Sequence, residues 1–434
     1  MSHHRCDGRE NSHQPGQRPP PPQTVLARLG PGLVTGAADD DPSGIATYTQ
    51  VGAQFGFALG WTLPFSLPLM AAVQEACARI GFATGQGIAA NLRALAPRWV
   101  LYGALLLLLL ANTCNLGADL AAMGDAAALL IGGPRFAWSA GFALLCLALP
   151  AFLSWRHYAD VLKLLTLTLL AYVAVLFTIR VPWGQALQGV FVPSLPGGTA
   201  ALMGLVAVLG TTISPYLFFW QAAQEVEERR ATGPKRMPAS RLLRGLKRIR
   251  FDTLVGMAAS NLIALCIVIA AGATLHPAGR HEIATAAQAA EALRPLAGAA
   301  AEWIFGLGIL GTGLLAVPTL SGSAAYALTE GFGWRNGFAH TPHQAPRFYG
   351  LMAAVTLVGL LLGLTGIDPV QALYWSAVLN GLLAPPLMAA VMLLASHPAL
   401  MRGAVLPRWL RWGGWLATLV MTAAAMALVA SWVF

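Results

Sequence analysis

Charge is what this chain has least of. Only 10% of its 434 residues are Asp, Glu, Lys or Arg, where a soluble protein carries roughly a quarter. With 56% apolar residues and a mean hydropathy of +0.62, a soluble domain is excluded. Cysteine is scarce too. The five (Cys6, Cys77, Cys114, Cys146, Cys266) are odd in number and contain no CxxC, so neither a disulfide framework nor a structural zinc site is expected. The alternating segments of about ten residues that mark a membrane barrel are missing. Residues 1–24 lack the apolar core of a signal peptide and end in the Pro19–Pro22 run, which reads as a disordered cytoplasmic tail.

What remains is apolar sequence in runs of about 20 residues, enough to cross a bilayer as helix. Eleven spans are expected: 29–56, 60–83, 99–123, 135–154, 159–181, 199–226, 252–274, 302–330, 347–365, 370–395 and 412–433. The expectation is therefore an all-α polytopic membrane protein, with one transporter domain over 25–434. The net charge of +9 does not point to nucleic acid, because its distribution follows the membrane. With the N-terminus inside, only Arg135, Arg180, Arg280 and Arg294 of the 27 Lys and Arg fall outside, as the positive-inside rule requires. The basic cluster at 229–250 reads as a topology determinant. An inner bacterial membrane with a cytoplasmic N-terminus is the expected location. The partners are then lipid and a transported ion, with no cofactor and no nucleic acid.

Two spans are interrupted. The first carries Asp39-Asp40-Asp41-Pro42-Ser43-Gly44 and the sixth Gly210-Thr211-Thr212-Ile213-Ser214-Pro215-Tyr216. A charge at the bilayer centre costs several kcal/mol, so intramembrane acids imply a use. Asp41-Pro42 and Ser214-Pro215 stand 173 residues apart, and each opens a set of five spans. Five is odd, so the second set enters from the opposite side. This is an inverted repeat (about 29–181 and 199–395, with an extra helix at 412–433) whose broken helices meet at the midplane, as in secondary transporters. Both first half-helices end there, and a helix C-terminus carries roughly half a negative charge. With Asp41 they favour a cation, and oxygen donors favour Mg²⁺, Mn²⁺ or Ca²⁺. Asp41 or Ser43 is also placed to cap the helix that Pro42 opens.

The chain resembles the Nramp family of divalent-metal transporters, which have the LeuT-type fold. Gly30-Pro31-Gly32 and Asp41-Pro42-Ser43-Gly44 resemble the family's GPG and DPGN patterns. Gln74, Arg79, Gly81, Thr84 and Gly85 fall in its spacing. So do Ala118-Asp119-Leu120-Ala121, Leu209-Gly210, Thr212, Pro215, Asp252, Ser321-Gly322-Ser323 and Glu330-Gly331-Phe332. The resemblance implies metal ligation by Asp41, by carbonyls near Ala38 and Thr211, and by Ser214 and Thr212. Pro42, Ser43, Gly44, Gly210, Pro215 and Tyr216 form the breaks, and Asp119, Glu75, Gln221 and Asn380 are pathway candidates. The departures bear on mechanism. Gly44 stands where the family has a metal-binding Asn, Ser214 where it has a Met sulfur, Tyr216 where it has His, and Ala122 where it has a proton-relay Glu. Loss of the thioether removes the bias toward soft transition metals. Loss of His and Glu leaves the family's proton route incomplete. Mg²⁺ or Mn²⁺ is expected ahead of Fe²⁺. The rivals are an organic-solute carrier of the same fold, an uncoupled divalent-cation uniporter or channel, and an intramembrane aspartyl hydrolase using Asp41 and Asp119.

Overall fold

A computed structural model describes residues 30–152, 170–232, 239–283, 285–294, 298–401 and 404–433. The expected tail at 1–24 and the first part of the fifth span lie outside the described residues. Among those residues the chain is helical, without strands. The first half comprises α1 (Pro31–Asp39), α2 (Pro42–Phe55), α3 (Thr62–Thr84), α4 (Ile88–Leu95), α5 (Arg98–Ile131), α6 (Arg135–Phe152), α7 (Leu170–Val175) and α8 (Trp183–Phe191). The second comprises α9 (Thr199–Thr212), α10 (Pro215–Thr232), α11 (Ala239–Thr274), α12 (Ala286–Ala290), α13 (Ala301–Phe332), α14 (Pro346–Leu362), α15 (Pro369–Ala395), α16 (Pro398–Met401) and α17 (Arg408–Val433). Among the described residues seven helical stretches are long and apolar enough to cross a membrane, one of them the interrupted 199–231 run. Outward-facing Leu106, Leu144, Leu419 and Trp412 are all largely exposed, as lipid-facing residues would be.

Both interruptions have a local cause. Pro42 and Pro215 lack an N–H and cannot continue a preceding helix, but they suit the first position of a new one. Asp41 is accordingly extended (ψ 170°) and caps α2 through the Gly44 amide. At the second break Ile213 leaves helical geometry, and the Ser214 hydroxyl donates to the carbonyls of Gly210 (3.0 Å) and Thr211 (2.8 Å). Two expected boundaries move. The seventh helix starts at Ala239, not residue 252, because the Arg- and Lys-rich stretch before it has good helix propensity. At 36 residues it is about 54 Å long, so its first turns project beyond the hydrocarbon. α5 likewise continues to Ile131.

Small residues let the helices around the breaks approach closely, the usual basis of helix association in lipid. Gly36 of α1 lies on Gly256 of α11 with no room for a Cβ between them. Gly210 of α9 meets the Ala377 carbonyl and Gly381 of α15 in the same way. The two breaks are thereby held at one depth, against α11 on one side and α15 on the other.

Candidate ion site at the two helix breaks

Asp41 is the centre of the arrangement. It is 1% exposed, and its carboxylate is held from three elements. Oδ1 accepts from Ser43 Oγ (2.6 Å) and the Gly44 amide (2.8 Å). Oδ2 accepts from Asn115 Nδ2 on α5 (2.9 Å) and lies 3.4 Å from the Tyr216 hydroxyl at the start of α10. Asn115 in turn accepts from Ser376 Oγ on α15 (2.7 Å). Tyr216 also donates to the Ala38 carbonyl (2.6 Å), the group that the end of α1 leaves without an intrahelical partner. Ser323 Oγ of α13 donates to the Tyr216 carbonyl and fixes the first turn of α10. Four helices (α1, α2, α5 and α10) meet at this carboxylate and carbonyl, with α13 and α15 supporting them from behind.

Asp39 and Asp40 face elsewhere. Both are buried and share the Ser260 hydroxyl of α11 (2.8 and 3.0 Å), so Asp41 alone belongs to the junction. Asp119 of α5 is 0% exposed and faces the Ser43 amide at the start of α2. Of the residues expected at the second break, Thr211 comes close. Its hydroxyl is buried, faces the Tyr48 hydroxyl and stands 3.2 Å from where a Cβ on Gly44 would be. Its carbonyl, however, already accepts from Ser214. Thr212 turns its hydroxyl back to the Val208 carbonyl (2.9 Å), and Ser214 also faces its own helix. Asn380 stands one turn after Ser376 on α15 with a buried, unpartnered amide nitrogen, and the Gln221 amide of α10 is likewise buried and unpartnered. Among the described residues no three His, Cys, Asp or Glu side chains cluster as metal ligands.

The face expected inside is closed by charge. Asp252 of α11 accepts from the amides of Gly30 (3.0 Å), Gly32 (2.7 Å) and Leu33 (3.2 Å), capping α1 from a neighbouring helix. Arg248 bridges Glu225 (3.1 Å) and Glu228 of α10. Arg229 caps the end of α3 through the carbonyls of Phe82 (2.6 Å) and Ala83 (2.9 Å). Glu75 pairs with Arg79 as its four-residue spacing suggests. Arg229 and Arg230 follow Glu225 and Glu227 closely enough in sequence to suggest pairing within α10, and Arg230 does attract Glu227. Glu225 takes Arg248, and Glu227 takes the Tyr326 hydroxyl and the Phe338 amide (2.7 Å). Toward the other face Asp125, expected in solvent, is largely buried and pairs with Arg135 (2.9 Å). Beside it lies a cavity of about 10 Å³, lined in part by Ala46, Ala122, Phe305 and Leu373. That is room for about one water.

Asn115, Ser376, Ser260 and Asp252 are the contributors that sequence reasoning left without these roles. Asp252 had two signals, its place in the family's spacing and its acid at the head of an apolar run, but neither pointed to α1. The others are ordinary polar residues whose partners lie 74 to 261 residues away.

Comparisons with known proteins agree with this architecture. A divalent metal cation transporter MntH of Klebsiella pneumoniae is 27% identical over 413 residues, covering 91% of this chain and 92% of that protein. One from Caldanaerobacter subterraneus is 27% identical over 400 residues, covering 87% and 86%. The crystal structure of a manganese transporter from Eremococcus coleocola superposes with a TM-score of 0.76 at 18% identity, covering 94% of this chain and 87% of that one. At that identity the match shows the fold alone, the LeuT-type arrangement. The model of the Nramp family (natural resistance-associated macrophage protein-like) matches residues 32–431. The chain is a multi-pass membrane protein and belongs to the Nramp family.

Proposed function

We propose that this protein is a secondary transporter of divalent metal cations, working by alternating access, with the ion held at Asp41 where the two broken helices meet. The observation that carries the reading is the junction itself. A buried carboxylate and the free carbonyl of Ala38 converge within reach of a single hydroxyl, 175 and 178 residues further along the chain. The relatives named as divalent metal cation transporters support it. The donor set is all oxygen, from Asp41, Ala38 and Thr211, with an amide at Asn115 and Asn380. Hard or borderline ions suit such a set, so Mg²⁺ or Mn²⁺ comes before Fe²⁺ and Cd²⁺. The Ser214 hydroxyl stands at the place of a sulfur and is engaged with its own helix. It supplies nothing soft.

Alternating access follows from the gates. Opening the closed face requires α1 to leave Asp252 and α10 to leave Arg248, while the site opens to the other face past Asp125. The N-terminus is cytoplasmic in this reading, in a bacterial inner membrane, and the protein performs no covalent chemistry. Uptake into proteoliposomes under competition by a series of divalent ions tests the donor set. Mg²⁺ and Mn²⁺ are expected to compete better than Cd²⁺. Cd²⁺ dominating the series would contradict the oxygen-only site. A uniporter is the second reading, favoured by Ala122 and Tyr216 at the relay positions. It predicts uptake without acidification of the vesicle interior.

A further inference from the structure

The Tyr216 hydroxyl occupies the place that a cation bound between Asp41 and the Ala38 carbonyl has to take. It is 1% exposed, 2.6 Å from the carbonyl and 3.4 Å from Asp41 Oδ2. A phenol has one hydrogen to donate, and at these distances it goes to Ala38. A cation taking both oxygens cannot share that line with an O–H pointing along it. Ser323 holds the Tyr216 carbonyl at 2.8 Å and the side chain is buried, so the hydroxyl leaves this place only when the ring turns about its own side-chain bonds.

We infer that Tyr216 is a positioning and selectivity residue that stands in for the ion in the empty transporter, donating to the Ala38 carbonyl until a cation displaces that hydrogen bond. The inference rests on the site proposed above and adds two consequences. The hydroxyl competes with the ion, so affinity is set partly by the bond the ion has to replace, as for any two ligands of one group. The same bond ties α1 to α10 when no ion is present. It thereby supports the empty protein in the step that returns the site to its starting face, whereas an ion-loaded site carries that tie itself. A poorly hydrated or weakly charged ion gains too little from Ala38 and Asp41 to displace the bond, which makes the exchange a filter for divalent charge.

The test is Tyr216→Phe in proteoliposomes with Mn²⁺ as the probe, measuring net uptake into ion-free vesicles and exchange between vesicles loaded on both sides. Loss of the competitor lowers KM on the order of three- to tenfold, the range carried by one net hydrogen bond. Net uptake at saturating Mn²⁺ falls, while exchange, which never passes through the empty return, keeps its rate. A KM that rises or stays level overturns the inference, and so does an exchange rate that falls together with net uptake. If the Phe variant is poorly folded, Tyr216→His supplies the second measurement. Its ring N–H can still donate to Ala38 at pH 8, and its charged form opposes a cation. Its KM relative to wild type should therefore climb several-fold as pH falls through about 6.5. A ratio constant with pH overturns the inference as well. Asp41→Ala measured alongside separates the two failures. Uptake surviving in that variant removes the site itself, whereas its abolition with an unshifted Tyr216→Phe removes only the role of the tyrosine.

Discussion

At the scale of single residues, the junction works because each polar atom of Asp41 has a counterpart from a different helix. The acid itself was legible in the sequence, since an Asp-Pro inside an apolar run has few uses. Its support was not. Asn115 reads as one more interhelical amide, yet it carries the link from Asp41 to Ser376. Asn115→Ala deletes a charge-assisted bond to a buried carboxylate, a loss of about 1.5–3 kcal/mol. Raised KM for Mn²⁺, on the order of tenfold or more at unchanged expression, is the expected outcome in an uptake assay. The three residues expected to ligate around the second break, Thr211, Ser214 and Thr212, were chosen by residue type and position. The structure shows why type is insufficient. A hydroxyl just before a break has its own helix's carbonyls within reach, and two of the three take them.

At the scale of elements, the two half-helices and their supports decide what moves. α1 is only nine residues long and carries no side-chain cap of its own. It borrows Asp252, 220 residues away, for three amides that would otherwise stay unsatisfied. Such a cap is invisible to local sequence rules, which look within four residues. Asp252→Asn keeps the shape and drops the charge, lowering the attraction to the α1 N-terminus by about 1 kcal/mol. A single cysteine introduced at Gly30 is expected to react faster with an impermeant thiol reagent from the cytoplasmic side in this variant. Equal rates would mean that Asp252 does not hold α1 closed. The close approach of Gly36 to Gly256 makes a complementary case. Any side chain at 36 pushes α1 off α11, so Gly36→Ala is expected to cost about 1–3 kcal/mol by overpacking and to lower the melting temperature of the detergent-solubilised protein. The helices themselves were legible from their apolar runs. The polar extension of α11 was not, because hydropathy is blind to a polar helix that continues beyond the bilayer.

At the scale of the whole molecule, the buried charges sort into layers. A ring of pairs closes one face (Glu75 with Arg79, Glu225 and Glu228 with Arg248, Asp252 with α1), the Asp39–Asp41 group lies at the middle, and Asp125 with Arg135 lies toward the other face. The positive-inside pattern supplies the expected orientation of these layers, and the paired breaks lie between them. The closed state of one face depends on Arg248 in particular, as it answers two acids of α10. Arg248→Gln leaves buried Glu225 without its cation. The inner face is then expected to open more often, raising reagent access to α1 and lowering net uptake together.

The central claim is that a divalent cation crosses at Asp41. Its most direct test is time-resolved uptake of Mn²⁺ and Mg²⁺ into proteoliposomes by the wild-type protein and by Asp41→Ala at matched incorporation. Saturable uptake by the wild type and none above empty vesicles for the variant is predicted. Uptake by Asp41→Ala at the wild-type rate and KM would contradict the account.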